Sequence, residues 1–194
     1  MPAMTKLEAV NESLRAIGET PVNSLSSGVI EASEALARLE RTTKEVLSKG
    51  WHANTDYDYR LLPDTSGEIP VPASALSVDP VDASVDYVVR GGKLYDRANQ
   101  TFAIAKTVLV DIKHALDFED LPFALAAYIS ARSARLFQES IEGSVALDSF
   151  IARREGEMKA LAEDAESEQD DANVLRDSPS VHAITFRYNR LQGV

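Results

Sequence analysis

Residues 29–51 read VIEASEALARLERTTKEVLSKGW, and the repeat within this stretch decides the fold. Six of its positions follow one another at alternating intervals of three and four, which is the repeat of one helical face. Those positions are Val29, Ala32, Leu36, Leu39, Thr43 and Val46. Because the stripe is narrow and has charged flanks, it predicts a helix that packs against one or two partners and ends at Gly50.

A shorter helix is predicted on the N-terminal side of this stretch. Residues 5–8, TKLE, have the form of a capping box, in which a threonine hydroxyl and a glutamate carboxylate accept hydrogen bonds from free backbone amides. The apolar positions that follow at helical spacing are Leu7, Val10, Leu14 and Ile17. Gly18 is predicted to end this helix.

On the C-terminal side, residues 51–118 change to the two-residue alternation of β-strands. Prolines at positions 63, 70, 72 and 80 exclude long helices and keep the strands short. Gly91-Gly92, between residues 85–90 and 93–96, predicts a tight hairpin because two glycines supply the positive φ of a primed turn. Residues 101–105 and 108–113 are predicted to be a further strand pair that completes a small antiparallel sheet.

Two more helices are predicted after the strands. Pro122 suits the first turn of the third helix, whose apolar face carries Leu125, Ile129 and Leu136 together with Arg132. The fourth helix is predicted to start at Ser144 and to dissolve in the acidic run at residues 163–171. Its apolar positions are Leu147, Ile151, Met158, Leu161 and Ala165.

The order of these elements predicts an α+β fold. A four-helix bundle-like helical part is expected from residues 1–50 and 119–170, which together form one discontinuous domain. A small antiparallel β-sheet insertion at residues 51–118 separates the second helix from the third, and residues 171–194 are expected to form an extended C-terminal tail. The length of 194 residues suits one domain with an insertion.

Composition excludes several classes of protein. The chain has no cysteine, which excludes disulfide frameworks, thiolate metal sites and thiol catalysis. No apolar run approaches the roughly 20 residues of a membrane span, so no membrane partner is expected. The net charge of −11 argues against binding of phosphate backbones, which requires clustered Lys and Arg.

The residue patterns indicate no catalytic residue, no metal site and no cofactor. His52, His114 and His182 have no metal-ligand spacing, and the serines have no nucleophile-elbow context. Trp51, the only tryptophan, is expected to be a core anchor between the helical and β parts.

Five strings in register carry a resemblance to a known family. They are residues 9–22 (AVNESLRAIGETPV), 49–54 (KGWHAN), 61–64 (LLPD), 90–97 (RGGKLYDR) and 117–122 (DFEDLP). Together they resemble the tail tubular protein A family of short-tailed bacteriophages (podoviruses), also called the head-to-tail adaptor or gatekeeper. The similarity covers residues 9 to about 140 and extends to total length and to the helix–β–helix order.

The resemblance implies a structural virion protein that forms a ring, typically of twelve copies, below the portal. The implied partners are further copies of the chain, the portal protein, the tail nozzle (tubular protein B) and the tail fibre. Genomic DNA would pass through the lumen without sequence-specific binding, and an acidic lumen would repel it during ejection. The implied location is the virion tail, after assembly in the host cytoplasm.

Two segments are predicted to contact these partners. Gly91, Gly92 and Lys93, at the hairpin tip, are expected to meet the nozzle or a fibre. Residues 176–194 are expected to be disordered in the free monomer and to order on the portal. In that tail, the predicted contact residues are Phe186, Arg187, Tyr188 and Arg190.

Two other functions remain open at the level of sequence. One is an acidic glycosidase that degrades polysaccharide, as a main or a second activity, with a carboxylate pair drawn from Asp117, Glu119 and Asp120. Helix-terminal acids explain the same three residues without any catalysis. The other is a cytoplasmic helical scaffold of cellular origin, which would lack the five strings above.

Overall fold

The computed structural model describes residues 3–141, 143 and 145–177, which form four α-helices and five β-strands. The helices are α1 (Lys6–Ala16), α2 (Ile30–Leu47), α3 (Phe123–Ile141) and α4 (Val145–Asp177). The strands are β1 (Thr55–Leu61), β2 (Ala75–Pro80), β3 (Tyr87–Arg90), β4 (Lys93–Asp96) and β5 (Val108–His114). All strands lie between α2 and α3, so the predicted α+β class with a small antiparallel insertion is confirmed.

The predicted capping box starts α1. The Glu8 amide donates to the Thr5 hydroxyl at 3.2 Å, and the Thr5 amide donates to the Glu8 carboxylate at 2.7 Å. These bonds satisfy two amides that the first turn leaves without helical partners.

The helix α2 buries most of its predicted stripe. Ala32, Leu39 and Val46 are at most 1% exposed, and the Thr43 hydroxyl donates to the Leu39 carbonyl at 2.8 Å. Val29 departs from the prediction because it lies before the helix and is 40% exposed. The stripe therefore begins at Ala32.

The helix α3 is the centre of the helical part, since it packs against α1, α2 and α4. Its fully buried side chains include Tyr128, Ile129 and Phe137. A helix surrounded in this way is apolar around most of its circumference, and its small residues allow close approach of the neighbours. They include Ala126, Ser130, Ala131, Ser133 and Ala134, all of them buried.

The strands form two separate antiparallel sheets. The first sheet has three strands in the order β1-β5-β2, and the second is the predicted β3-β4 hairpin. A second hydrophobic cluster fills the β part; it includes Leu61, Ile69, Leu94, Val110 and Ile112. The hairpin prediction is confirmed, whereas the expectation of one sheet is wrong.

The predicted strand at residues 101–105 is wrong. Only Thr101 forms an isolated bridge, to Asp96, and Ile104 is buried while its amide donates to the Gly67 carbonyl at 2.8 Å. The strand β5 instead pairs with β1 and with β2, which the sequence pattern missed. Pro70 and Pro72 precede β2, and Pro80 is its last residue. A proline at the end of a strand interrupts pairing least, because the amide donor that it lacks is needed least there.

The acidic run does not end α4 as predicted. The helix continues through residues 163–171 to Asp177, so the first seven residues of the predicted tail are helical. Lys159 and Glu163 form an ion pair at 3.1 Å, one turn apart, and glutamate is itself a good helix former. The predicted cap at Ser144 and residues 178–194 lie outside the described residues, and the domain boundaries stay predictions.

Candidate interaction surfaces

A buried asparagine joins the end of α2 to the end of β5. Asn54, 3% exposed, donates from Nδ2 to the carbonyls of Leu47 at 3.0 Å and His114 at 2.7 Å. Its Oδ1 accepts from the Trp51 amide at 2.9 Å. One side chain therefore satisfies three backbone groups on both sides of the junction between the helical and β parts.

The side chain of Trp51 belongs to the hydrophobic cluster of the helices, which confirms the predicted core position but not the predicted link to the β part. Its Nε1 donates to the Val46 carbonyl at 3.0 Å, and its ring packs 6.2 Å from that of Tyr128. Burial of a large ring with its polar nitrogen satisfied is the usual role of a core tryptophan.

Two of the three acidic residues considered for a glycosidase, Asp117 and Glu119, are engaged in structural contacts. Asp117 binds Lys6 at 2.9 Å, and Glu119 accepts from the Lys6 amide at 3.2 Å. The hydrogen bond and charge of Lys6 lower the pKa of Asp117, whereas a glycosidase general acid needs a raised pKa. A crevice of about 240 Å³ adjoins Asp117, but nothing at this site supports glycoside hydrolysis.

The histidines in the described residues hold elements together. His114 of β5 contacts Ser74 through Nδ1 at 2.9 Å and Asp56 through Nε2 at 3.3 Å. Ser74 directly precedes β2 and Asp56 lies in β1, so the imidazole links the three strands of the first sheet. The His52 amide donates to Glu166 of α4 at 2.5 Å. Within the described ranges, no group of three or more His, Asp or Glu residues is placed to hold a metal ion. His182 lies outside those ranges.

The hairpin tip is exposed and firmly supported. Gly91 and Gly92 have φ of +56° and +74°, which confirms the predicted need for glycine at this turn. Lys93 is ion-paired with Glu68, and the Val71 amide donates to the Gly92 carbonyl at 2.8 Å. The tip is therefore a fixed projection, and its predicted contact with a partner stays a prediction.

An aromatic cluster lies behind the tip. The Arg90 guanidinium stacks over the Tyr95 ring, 4.2 Å from its centroid, and Phe102 meets Tyr95 edge-on with centroids 4.8 Å apart. These contacts leave the Arg90 side chain exposed while its orientation is restrained. The predicted contact residues of the tail, which are Phe186, Arg187, Tyr188 and Arg190, lie outside the described residues.

Ion pairs attach α4 to the rest of the helical part. Glu155, 8% exposed, accepts from Arg132 at 2.8 Å and from Arg135 at 3.1 Å. Arg135 also binds Asp148 at 2.7 Å, and Arg154 pairs with Glu12 of α1. The hydrogen bonds to Asp148 and Glu155 raise the pKa of Arg135.

Many carboxylates in this structure accept hydrogen bonds that lower their pKa values. They are Glu8, Asp64, Asp82, Asp96, Asp117 and Asp148. A pKa that is lower in the folded than in the unfolded state stabilises the fold above the unfolded value and loses this effect as pH falls through the folded value.

We therefore expect the free energy of unfolding to decrease as pH falls below the ordinary aspartate pKa of 3.8. Urea unfolding between about pH 7 and pH 2.5 measures this dependence. Asp117→Asn is expected to make the loss of stability at low pH slightly smaller, with Asp164→Asn, at an exposed position in the acidic run, as a control. A stability that rises on acidification would contradict the prediction.

Large apolar side chains are exposed on both parts of the chain. On the helices, Ile30 is 70% exposed and Phe150 is 66% exposed; on the β part, Tyr57 is 70% exposed. Single exposed apolar side chains are common on protein surfaces, and only contiguous groups of them mark sites that bind other proteins. None of the helices in the described residues is both long and apolar enough to cross a membrane.

Comparison with known proteins identifies the family of the chain. A family model described as "Tail tubular protein" matches residues 7–172. The chain belongs to the tail tubular protein family. It is also similar to "Tail tubular protein A" of Klebsiella phage KP34, at 33% identity over 127 residues, which cover 66% of this chain and 68% of the relative.

Membership in the tail tubular protein family makes the chain a structural component of a phage tail, located in the virion tail. The resemblance carried by the five strings is confirmed. A family of tail proteins is one whose members act through contacts with other proteins, so the exposed surfaces described above are its candidate functional sites.

Proposed function

We propose that this tail tubular protein is a head-to-tail adaptor, in which about twelve copies form a ring between the portal and the tail nozzle. Family membership over residues 7–172 is the observation that carries the proposal. The portal, the nozzle protein, the tail fibre and the copy number are all part of the proposal.

The fold suits a ring because it offers chemically different faces. A ring requires a heterologous contact, in which one face of a subunit meets a different face of the next. The helical part and the β part have separate hydrophobic clusters, so each presents its own outer surface. Contacts between copies and contacts with other tail proteins then need not compete for one surface.

The net charge of −11 per copy suits passage of DNA through such a ring. Binding of duplex DNA depends on cations that neutralise phosphates, and an acidic lumen lacks them. DNA would then slide without specific contacts.

The ring proposal is tested with purified chain and its cognate portal. We expect closed rings in negative-stain images and a mass by light scattering that fits about twelve copies on each portal. A mixture that contains only free chain and free portal would contradict the proposal.

We further propose that the hairpin tip contacts the nozzle or a fibre. Gly91→Asn adds a side chain at the tip, and asparagine tolerates the φ of +56° at this position better than most other residues. Apart from the neighbouring residues of the chain, no atom lies within 4 Å of the added Cβ, so we expect folding to persist and nozzle binding to fall by about tenfold or more. Ala98→Asn, which adds the same side chain at an exposed position in the loop after β4, serves as a control. Unchanged binding in a pull-down would remove this contact.

The C-terminal segment is proposed to bind the portal. Deletion of residues 178–194 removes no described element, so we expect the unfolding transition to persist and portal binding to be lost. A pull-down of portal by the truncated chain at the level of the full chain would contradict this assignment.

A further inference from the structure

A groove on the outer side of α2 has a composition that suits an aromatic side chain. It has a volume of about 220 Å³ and is formed by residues of α2 and the end of α3. Its lining residues are Glu34, Ala37, Arg38, Arg41, Phe137 and Ser140. Among the described residues, neither Arg38 nor Arg41 has an ion-pair partner. We call this feature the α2 groove.

An exposed stripe on α4 has a complementary composition. Phe150 is 66% exposed, Leu161 is 43% exposed, and Glu157 lies between them on the same side of the helix. The intervals of seven and four residues place these side chains in one line. A different side of α4, which includes Glu155 and Ala162, is the one buried against α3. We call the line of three residues the α4 stripe.

The two features belong to helices that run in the same direction. The first half of α2 meets Phe137 at the end of α3, and Trp51, just beyond α2, meets Tyr128 near its start. On the other side, Asp148 near the start of α4 meets Arg135 near the end of α3. Both α2 and α4 are thus antiparallel to α3, and therefore parallel to each other.

The α2 groove and Phe150 also lie at the same height along these helices. Phe137 lines the groove, and Arg135, two residues earlier on α3, bonds Asp148 and Glu155 on either side of Phe150. Two residues correspond to about 3 Å along a helix. A rotation about an axis parallel to the helices preserves both direction and height, so it carries Phe150 of one copy to the level of the groove of another.

We propose that the α4 stripe of one copy docks in the α2 groove of the next copy. This proposal rests on the ring proposed above and assigns its copy-to-copy contact. Phe150 fills the groove over Ala37, with Arg41 against the ring face. Glu157, seven residues further along α4, lies beside Lys44, seven residues further along α2 than Ala37.

Complementary charge and apolar surface point to a second copy as the occupant. The groove holds Arg38 and Arg41 against one carboxylate, Glu34, and neither arginine has an ion-pair partner in the described residues. The stripe offers Glu157 between two exposed apolar side chains; this carboxylate is 62% exposed and meets only the exposed Arg153 of its own helix, at 3.8 Å, among the described residues. Since groove and stripe are on helices that pack on α3 separately, each copy can give one face and accept the other, as a closed ring requires.

A cysteine pair tests the contact directly, because the chain has no cysteine of its own. Ala37→Cys combined with Phe150→Cys is assembled on portal, oxidised and separated on a non-reducing denaturing gel. We expect a ladder of covalent multimers, which a disulfide gives only when the two Cα atoms approach within about 7 Å. The matched control is Ala37→Cys with Lys159→Cys, since Lys159 lies on the other flank of α4 and is expected to leave monomers.

The outcomes separate this contact from the ring itself. Rings in negative stain together with a ladder only for the Ala37–Phe150 pair support the proposal. Rings without such a ladder, or with equal ladders for both pairs, overturn the assignment and leave the ring in place. Absence of rings for the unaltered chain overturns the ring and this contact with it.

A charge exchange gives a second measurement that does not depend on packing of Phe150. Lys44→Glu alone and Glu157→Lys alone are each expected to reduce the yield of rings by about fivefold, while the two together restore it. Restoration requires that the two residues meet across copies, because a different partner protein would oppose both changes. Failure of the double variant to regain rings, with its unfolding transition intact, would contradict the proposed pairing.

Discussion

Asn54→Asp is expected to lower the free energy of unfolding by about 3–5 kcal/mol, as an uncompensated buried charge does. The substitution keeps the shape of the side chain but replaces Nδ2, which donates to the Leu47 and His114 carbonyls, with an oxygen. Two carbonyl oxygens would then face a carboxylate in a site that is 3% exposed. Urea unfolding followed by the fluorescence of Trp51, the only tryptophan, measures the loss.

Asn23→Asp provides the control for this prediction. Asn23 is exposed, and an exposed substitution of this kind is expected to change stability by less than about 0.5 kcal/mol. If Asn54→Asp unfolds at the same urea concentration as Asn23→Asp, the three bonds of Asn54 do not hold the junction between α2 and β5.

Elements defined by neighbouring residues were predictable from the sequence. The capping box of α1 needs only Thr5 and Glu8, and the hairpin needs only two glycines between alternating strands. The buried stripe of α2 is equally local, because a helix places residues three and four apart on one face. In each case the interactions that define the element connect residues that are close together in the sequence.

Elements defined by distant partners were not predictable in the same way. The strand β2 has few β-branched residues and has prolines at or near both ends, and it is a strand because β5 lies beside it. Residues 101–105 have the composition of a strand but no neighbour to pair with beyond one bridge at Thr101. β-structure depends on pairing across the sheet more than on the intrinsic preference of a segment.

The candidate surfaces show the same limit. The hairpin tip could be located from Gly91 and Gly92, whereas the α2 groove requires that Phe137 of α3 be placed beside Ala37 and Arg41, about a hundred positions earlier. Arg132 stands on the predicted apolar face of α3, and its ion pair with Glu155 of α4 explains a charge at that position. That partner lies on another helix, so periodicity along α3 alone did not predict the ion pair.

Glu155→Gln is expected to lower the free energy of unfolding by about 2–3 kcal/mol, less than for a fully buried pair because both arginines are partly exposed to water. The amide keeps the size of the side chain but removes the charge between Arg132 and Arg135. Among the α4 side chains whose burial the structure describes, Ala162 is the only buried apolar one, so little other packing compensates for the loss. Exchange of backbone amide hydrogens should therefore accelerate in α4 before it accelerates in α2.

Glu163→Gln provides the control, because it breaks only the exposed pair with Lys159; it is expected to lower the free energy of unfolding by less than about 0.5 kcal/mol. Equal losses for the two variants would mean that packing of residues such as Ala162, and not the buried carboxylate, attaches α4 to α3.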